Sequence, residues 1–381
     1  MFMGIKPPIK KRWLMINASQ RRYYCCVGVV ILATLLTPML AASFGAANIH
    51  FADVITVFKS LLTGNGLLSA DENSVISTLN QRIVFDLRLP RIVLAFIAGA
   101  GLSIAGSVLQ TVTRNPLADP YLFGISSGAS FGAVCVISLF SQTGLFSGWF
   151  DGALQMSTHG QHAWWSWSML SLPLGAFIGA SLSVLVVVAL SGFGRTSQIE
   201  RMLLSGVATS FLFGALTSLL LYFSSPQAAA SVLFWSLGSF AKANWAQLWL
   251  PSVTVVVSLL IMLAFKRQIM ALQAGDESAH TLGVNVAKLR LSMLLLCSLI
   301  TAMLVASCGG IGFVGLMIPH TVRLLFSGRQ PMILTAVFGG LFMVWIDVIA
   351  RCLLSNQELP VGIITAALGS VFFLFILRHR R

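Results

Sequence analysis

Two histidines, His159 and His162, are the residues whose type and spacing come nearest to metal chemistry, and they lie in a segment rich in tryptophan. One interpretation is that this segment contacts a ligand and that the histidines bind haem or a metal ion. The alternative is an aromatic belt at a membrane surface, where tryptophan is enriched. We favour the belt, because two histidines need further ligands for a strong site and the neighbouring sequence offers none.

The sequence contains neither the GxxxxGK[ST] loop of nucleotide hydrolysis nor the HExxH motif of zinc proteases. Asp347 is the only acidic residue inside a predicted membrane span, near its outer end. Ion-coupled transporters usually keep ionisable groups near the middle of the membrane. The sequence therefore predicts no catalytic centre and no proton relay, and it indicates an energy source outside the chain.

The composition predicts an all-α polytopic membrane protein. Of the 381 residues, 57% are hydrophobic and only 9% are charged, whereas soluble domains carry about 25% charged residues. A helical span needs roughly 20 apolar residues. We predict ten spans, at 24–46, 91–112, 120–140, 169–192, 201–223, 247–265, 291–307, 313–326, 331–350 and 361–377.

The distribution of basic residues predicts the topology. If the basic arm 1–23 is cytoplasmic, the cytoplasmic side holds 18 of the 24 Lys and Arg residues, including those of the tail 378–381. This is the positive-inside pattern, so we place both termini in the cytoplasm and the long segments 47–90 and 141–168 outside. The net charge of +13 is then a topology signal and predicts no binding of nucleic acid.

The six cysteines have no CxxC spacing and are interpreted as small buried side chains.

A polar stretch interrupts the apolar pattern between the second and third spans. Pro116 and Pro120 disfavour helical geometry at the residues before them, so the chain must turn there. A polar, broken backbone at membrane depth is tolerated only where protein buries it or water reaches it. Gln110, Asn115 and Leu117 are therefore expected where a pathway meets the cytoplasm; a plain turn between spans is an equal alternative.

A second polar segment, 272–290, is predicted on the cytoplasmic side. Gly275, Asp276 and Glu277 lead into a short helix, since acidic residues suit a helix N-terminus, and Gly283 suits its end. Such a helix could be the docking site of a soluble partner, and a solvated loop is the alternative.

Several motifs occur here in the order found in one family. They are RLPR, LQTVTRNPLADP, GISSGA, LLSGVA, FWSLGSF, GDESAHTLGV, GFVGLMIPH and ELPVGIITAALG. From about residue 85 to 377 the chain resembles the FecCD-type permeases, the membrane subunits of ABC importers for ferric siderophores, haem and cobalamin.

The resemblance implies a type II ABC importer permease fold of about ten transmembrane helices, forming one permease domain over 24–377 in a bacterial inner membrane. It implies a second permease copy, a periplasmic binding protein and a cytoplasmic ABC ATPase dimer that binds ATP and Mg²⁺. The chain itself would be a transport subunit, not an enzyme, and would bind no cofactor. A ferric siderophore is the first expectation for the substrate, then haem or cobalamin; an ion-coupled secondary transporter is the less favoured class.

The resemblance also assigns roles to residues that match the motifs of the family. Arg88, Arg91 and Arg351, at the outer mouth, would dock the binding protein. Asn115 and Leu117, with Gln110 before them, would form the cytoplasmic gate. The segment from Gly275 to Gly283 would couple to the ATPase, through Gly275, Asp276, Glu277, Ala279, Leu282 and Gly283.

Overall fold

The computed structural model describes residues 9–45, 49–63, 75–139, 167–191, 198–326, 331–354 and 357–379. Within these ranges the regular structure is helical. His159 and His162, with residues 141–166 of the long segment around them, lie outside the described residues, so the two interpretations of this segment remain predictions.

The helices are α1 Ile9–Ser43, α2 Phe51–Thr63, α3 Val75–Arg82, α4 Leu89–Thr113, α5 Ile125–Leu139, α6 Trp167–Ser191, α7 Gln198–Tyr222, α8 Pro226–Ser236, α9 Trp245–Ala264, α10 Lys266–Ala271, α11 Asp276–Thr281, α12 Val286–Cys308, α13 Val314–Leu325, α14 Met332–Cys352 and α15 Val361–His379. A π-helical turn, Ile83–Arg88, joins α3 to α4, and 3₁₀ turns occupy Pro120–Phe123 and Leu272–Ala274.

Each of the ten predicted spans coincides with an apolar helix. In the described part of the chain, seven helices are long and apolar enough to cross a membrane, and α5, α13 and α15 contribute shorter apolar helices of 10–17 residues. The prediction of an all-helical, polytopic membrane protein is confirmed. The number of crossings and the side on which the termini lie stay predictions.

Residues 47–90, predicted as a long outer segment, contain helices, and their place outside the membrane stays a prediction. This segment contains α2 and α3, and the apolar helix that includes the second span begins at Leu79. Val54 and Val57 are fully buried and lie three residues apart, on one face of α2. Asn80 Nδ2 donates a hydrogen bond of 2.9 Å to Asp53 Oδ2 and so ties α3 to α2. Polar residues spaced along an amphipathic helix resemble a loop when only overall polarity is read.

Helix α4 lies at the centre of the bundle. Almost all of its residues from Leu89 to Thr113 are buried, and it packs against α1, α9, α12, α13 and α14. Small residues permit this close packing. A methyl group added at Gly99 would overlap the carbonyl oxygen of Gly339 on α14, and one at Gly106 would overlap that of Gly315 on α13.

The two ends of the bundle are named after the predicted topology. The outer end holds the start of α4 and the end of α14, with Arg91 and Asp347. The inner end holds the end of α4 and helix α11, with Arg114 and Asp276. The fold therefore places the predicted functional residues in two groups, one at each end of α4.

The backbones of α4 and α14 are in contact at Gly99, so adding one methyl group there should lower the stability of the protein. Gly99→Ala should lower the free energy of unfolding by about 1–3 kcal/mol, because the backbones must separate to relieve the overlap. Gly28→Ala is the matched control, since nothing lies within 4 Å of a Cβ there. Thermal unfolding of the purified variants in detergent checks this. Equal melting temperatures for the two variants would contradict the close approach.

Candidate functional site

A cluster of four charged side chains joins α4 to α14 at the outer end. Arg91 Nε lies 2.7 Å from Asp347 Oδ1, and Arg91 Nη1 lies 2.8 Å from Glu358 Oε2. Arg351 Nε lies 3.2 Å from Asp347 Oδ2. Asp347 is fully buried between the two guanidinium groups. A buried carboxylate requires such pairing, because an isolated charge in a low-dielectric interior is very costly.

Arginines at the outer end also hold the end of α1. Arg88 Nη1 donates a hydrogen bond of 2.6 Å to the carbonyl oxygen of Ala42. Arg351 Nη1 donates to the carbonyl oxygen of Phe44 at 3.2 Å. The last carbonyl groups of a helix have no partner within the helix, and a cation there is also favoured by the helix dipole. The arginines therefore fasten α1 to the bundle.

Arg88, Arg91 and Arg351, predicted at the outer mouth, are buried within this chain, and their docking role stays a prediction. Their exposed fractions are 6%, 8% and 6%, and each is engaged within the chain by the contacts just described. Of the four charges in the outer cluster, Glu358 is the accessible one, with 45% of its side chain exposed. The charge pattern predicts arginines near this end, but it cannot tell whether their partners belong to the same chain.

Gln110, predicted near the gate, binds two neighbours at the inner end. It is buried, its Nε2 donates a hydrogen bond of 3.0 Å to the carbonyl oxygen of Gly315, and its Oε1 accepts one of 2.7 Å from Arg323 Nη2. Gln110 thus links α4 to both the start and the last turn of α13. Its place in a cytoplasmic gate stays a prediction.

The predicted turn after α4, residues 114–119, is present and is called the gate turn. Arg114 ends α4 in a left-handed conformation with φ 51°. Asn115 Oδ1 then accepts a hydrogen bond of 2.9 Å from the amide of Leu117, and the Leu117 side chain is 50% exposed. Asp119 Oδ1 accepts the amide hydrogen of Tyr121 at 2.8 Å. Burial raises the pKa of the Asp119 carboxyl to about 6.

The predicted helix of the coupling segment, residues 272–290, is α11. Gly275, at φ 115°, precedes it, and Gly283, at φ 78°, follows it. The amide of Gly283 donates to the carbonyl of His280, and the amide of Val284 donates to that of Ala279. This pair of bonds is the Schellman motif, which needs a residue of positive φ and favours glycine. The prediction of a short helix ending at Gly283 is confirmed.

The six residues predicted to contact an ATPase face different ways. Ala279 is fully buried, whereas Leu282 is 70% exposed. Glu277 is also exposed. Asp276 turns inward: its Oδ1 lies 3.0 Å from Arg114 Nη2 and 3.0 Å from Arg290 Nη2. Helix α11 therefore presents one face to solvent and fastens the other to the gate turn and to α12.

A cleft lies beside the gate turn at the inner end. It has a volume of about 290 Å³ and is lined by Gln110, Thr111, Arg114, Pro116, Gln273 and Arg323. Within the described residues, no group of three or more His, Cys, Asp or Glu side chains is placed to hold a metal ion. The inner end is thus built from ion pairs and hydrogen bonds that join α4 to α11, α12 and α13, within a bundle of apolar helices typical of a membrane protein.

The comparisons with known proteins agree with this class. The FecCD transport family matches residues 30–379, so the chain belongs to the FecCD transport family. It is 38% identical to the cobalamin import system permease protein BtuC of Halobacterium salinarum over 79% of this chain and 74% of the relative. It is 35% identical to the hemin transport system permease protein HmuU of Yersinia pestis over 87% of this chain and 95% of the relative.

A solved structure also resembles the chain over most of its length. It is a metal-chelate type ABC transporter in an inward-facing conformation, with a TM-score of 0.72 and 28% sequence identity, covering 94% of this chain and all of the other. The resemblance drawn from the motifs is thereby confirmed at the level of the family.

The two acidic residues of the outer cluster should differ strongly in their contribution to stability, because Asp347 is buried and Glu358 is half exposed. Asp347→Ala should lower the free energy of unfolding by about 3–5 kcal/mol, because it leaves Arg91 and Arg351 buried without their shared partner. Glu358→Gln should cost no more than about 1 kcal/mol, since the Glu358 side chain is half exposed and Arg91 keeps its pair with Asp347. Thermal unfolding in detergent compares the two. A Glu358→Gln variant as unstable as Asp347→Ala would contradict the assignment of Asp347 as the centre of the cluster.

Proposed function

We propose that this protein is the permease subunit of an ABC importer that carries an iron chelate across a bacterial cytoplasmic membrane. The observation that carries the proposal is the match to the FecCD transport family over nearly the whole chain. Its ten apolar helices would all cross the membrane, with both termini in the cytoplasm. The chain would transport without chemistry of its own, and a separate ATPase dimer would bind and hydrolyse ATP with Mg²⁺.

The substrate we propose is a ferric siderophore. The similar solved structure is a metal-chelate type transporter, which supports a chelated metal, while the relatives named for cobalamin and hemin keep those two ligands as alternatives. A pathway lined by small and polar groups would discriminate weakly among such large ligands. Specificity would then rest on the periplasmic binding protein.

The ATPase is proposed to dock on the exposed face of α11. Leu282 offers an apolar contact and Glu277 a charged one on that face. A short helix held at both ends by glycine turns forms a compact projection that a cleft in a soluble partner could enclose. The inner end would thereby receive the movement that accompanies ATP binding.

A second permease copy is proposed to cover α7 and the loop after it. Phe211, Tyr222 and Phe223 are 75%, 82% and 77% exposed. Among the seven helices that are long enough to span, the segment Leu204–Tyr222 is the least buried within the described part of the chain. A homodimer would place a translocation pathway between two such faces, and lipid would cover the remaining apolar surface.

The binding protein is proposed to dock at the outer end by exchanging carboxylates. Arg91 is saturated by Asp347 and Glu358, so an acidic side chain of the partner could reach it only by displacing Glu358, the accessible one of the two. Arg88 and Arg351 would support this contact by fixing α1 and Asp347 around Arg91. Charges at such a rim govern docking rate and orientation more than affinity.

The transport proposal is tested by uptake of labelled ligand in a strain deleted for this gene. We expect plasmid-borne protein to restore uptake of a ferric siderophore, measured with radioactive iron, and to leave uptake of haem and cobalamin unchanged. Rescue by haem, lost in a His159→Ala, His162→Ala variant, would replace the siderophore proposal and give the outer segment a function. Failure to restore any of the three ligands would contradict the importer proposal.

The exchange of carboxylates predicts that Glu358→Gln strengthens docking. Removing the competing charge should raise the affinity of the binding protein by up to about tenfold, the equivalent of 1.4 kcal/mol. Asp86→Asn is the matched control, because Asp86 is an exposed acid near the same end of the bundle. Binding to the permease in nanodiscs, measured by surface plasmon resonance, checks both. An unchanged or weaker affinity for Glu358→Gln alone would contradict the exchange.

A further inference from the structure

We propose that Asp276 is the positioning residue that transmits movement of α11 to the gate turn, through Arg114 and Arg290. The inference rests on the proposed function, because it names the link by which a docked ATPase would act on the permease. Of the acids in the coupling segment, Asp276 faces inward while Glu277 faces solvent, so the two adjacent carboxylates would have separate tasks.

One carboxylate oxygen joins three elements of the inner end. Asp276 Oδ1, at the first turn of α11, lies 3.0 Å from Arg114 Nη2 at the end of α4 and 3.0 Å from Arg290 Nη2 in α12. Arg290 Nε also donates a hydrogen bond of 3.2 Å to the carbonyl oxygen of Val112, in the last turn of α4. Movement of α11 therefore acts on α4 both directly and by way of Arg290.

The local backbone makes this connection short and stiff. The aspartate has a short side chain and begins the helix directly after Gly275, whose φ of 115° permits the sharp turn into it. Fully buried Ala279 fixes the opposite end of the same face. The Arg290 side chain is only 8% exposed and that of Asp276 only 20%, whereas that of Arg114 is 43% exposed. Ion-paired hydrogen bonds are stronger than neutral ones, and burial shields the pair of Asp276 with Arg290 from salt more than the pair with Arg114.

Arg114 lies at the junction between α4 and the rest of the gate turn. It adopts φ 51°, a left-handed conformation that is unfavourable for a residue other than glycine. The gate turn with Asn115 and Leu117 follows immediately. Displacement of the Arg114 side chain by Asp276 would thus be passed to the residues proposed to open and close the cytoplasmic exit.

Asp276→Asn separates transmission from a structural role. Asparagine has the shape of aspartate without its charge, and the N-cap of α11 is Gly275 rather than Asp276, so α11 should still form and bind the ATPase, whereas both ion pairs are lost. We expect ATP hydrolysis by the complex in proteoliposomes to continue and the amount of chelate imported per ATP to fall about tenfold or more, since the charge-assisted contacts to Arg114 and Arg290 are both lost. Asp276→Glu, which keeps the charge, should recover part of that ratio.

A double-mutant cycle identifies the partner. Arg114→Gln should also lower the import ratio, and Arg114→Gln combined with Asp276→Asn should be little worse than Asp276→Asn alone, because Asp276→Asn has already removed the pair with Arg114. Arg267→Gln, which removes an exposed cytoplasmic arginine of α10, is the control expected to leave the ratio unchanged.

The outcomes distinguish this inference from the proposed function. If the unaltered complex imports the chelate with ATP but Asp276→Asn retains the full import ratio, the transmission role is wrong and the importer stands. Additive losses in the double variant would likewise overturn the link between Asp276 and Arg114. If the unaltered complex neither binds an ATPase nor imports the chelate, the importer proposal itself fails.

Discussion

The burial of α4 is the constraint on which the rest of the structure depends. Its small residues let α13 and α14 approach to backbone contact, and such contact leaves no room for charged side chains along its length. Charges therefore gather where α4 begins and ends: Arg91 with Asp347 at the outer end, and Arg114 with Asp276 at the inner end. Each cluster is paired, because an unpaired buried charge would cost several kcal/mol.

The same arrangement makes α4 the connection between the two proposed docking surfaces. The outer cluster holds α1 and α14 on the first residues of α4, where the binding protein is proposed to act. The inner cluster holds α11 and α12 on its last turn, where the ATPase is proposed to act. A stiff, buried helix clamped at both ends suits a transporter in which the energy source and the ligand carrier are separate proteins. Gln110 adds a third link, from α4 to α13, beside the gate turn.

Elements that follow from local sequence could be predicted. Apolar runs place the spans, Pro116 and Pro120 place the gate turn, and Gly275 and Gly283 bracket α11. The partners of the arginines could not be predicted, because Arg91 and Asp347 lie 256 positions apart and only the packing of α4 on α14 brings them together. The inward orientation of the Asp276 side chain could not be predicted either, because its partner Arg114 is distant in the sequence. Helix α2 was not predicted, because Asp53, Thr56 and Lys59 interrupt its apolar residues and its 13 residues are too few for a span.

The central claim is that the transport energy comes from ATP hydrolysed by a separate subunit. The most direct measurement is uptake of a radioactive ferric siderophore into proteoliposomes that contain this chain with its ATPase, with the loaded binding protein added outside. The account predicts uptake only when ATP reaches the ATPase and the binding protein is present, and no response to a proton or sodium gradient. Uptake by the chain alone, driven by such a gradient, would contradict it.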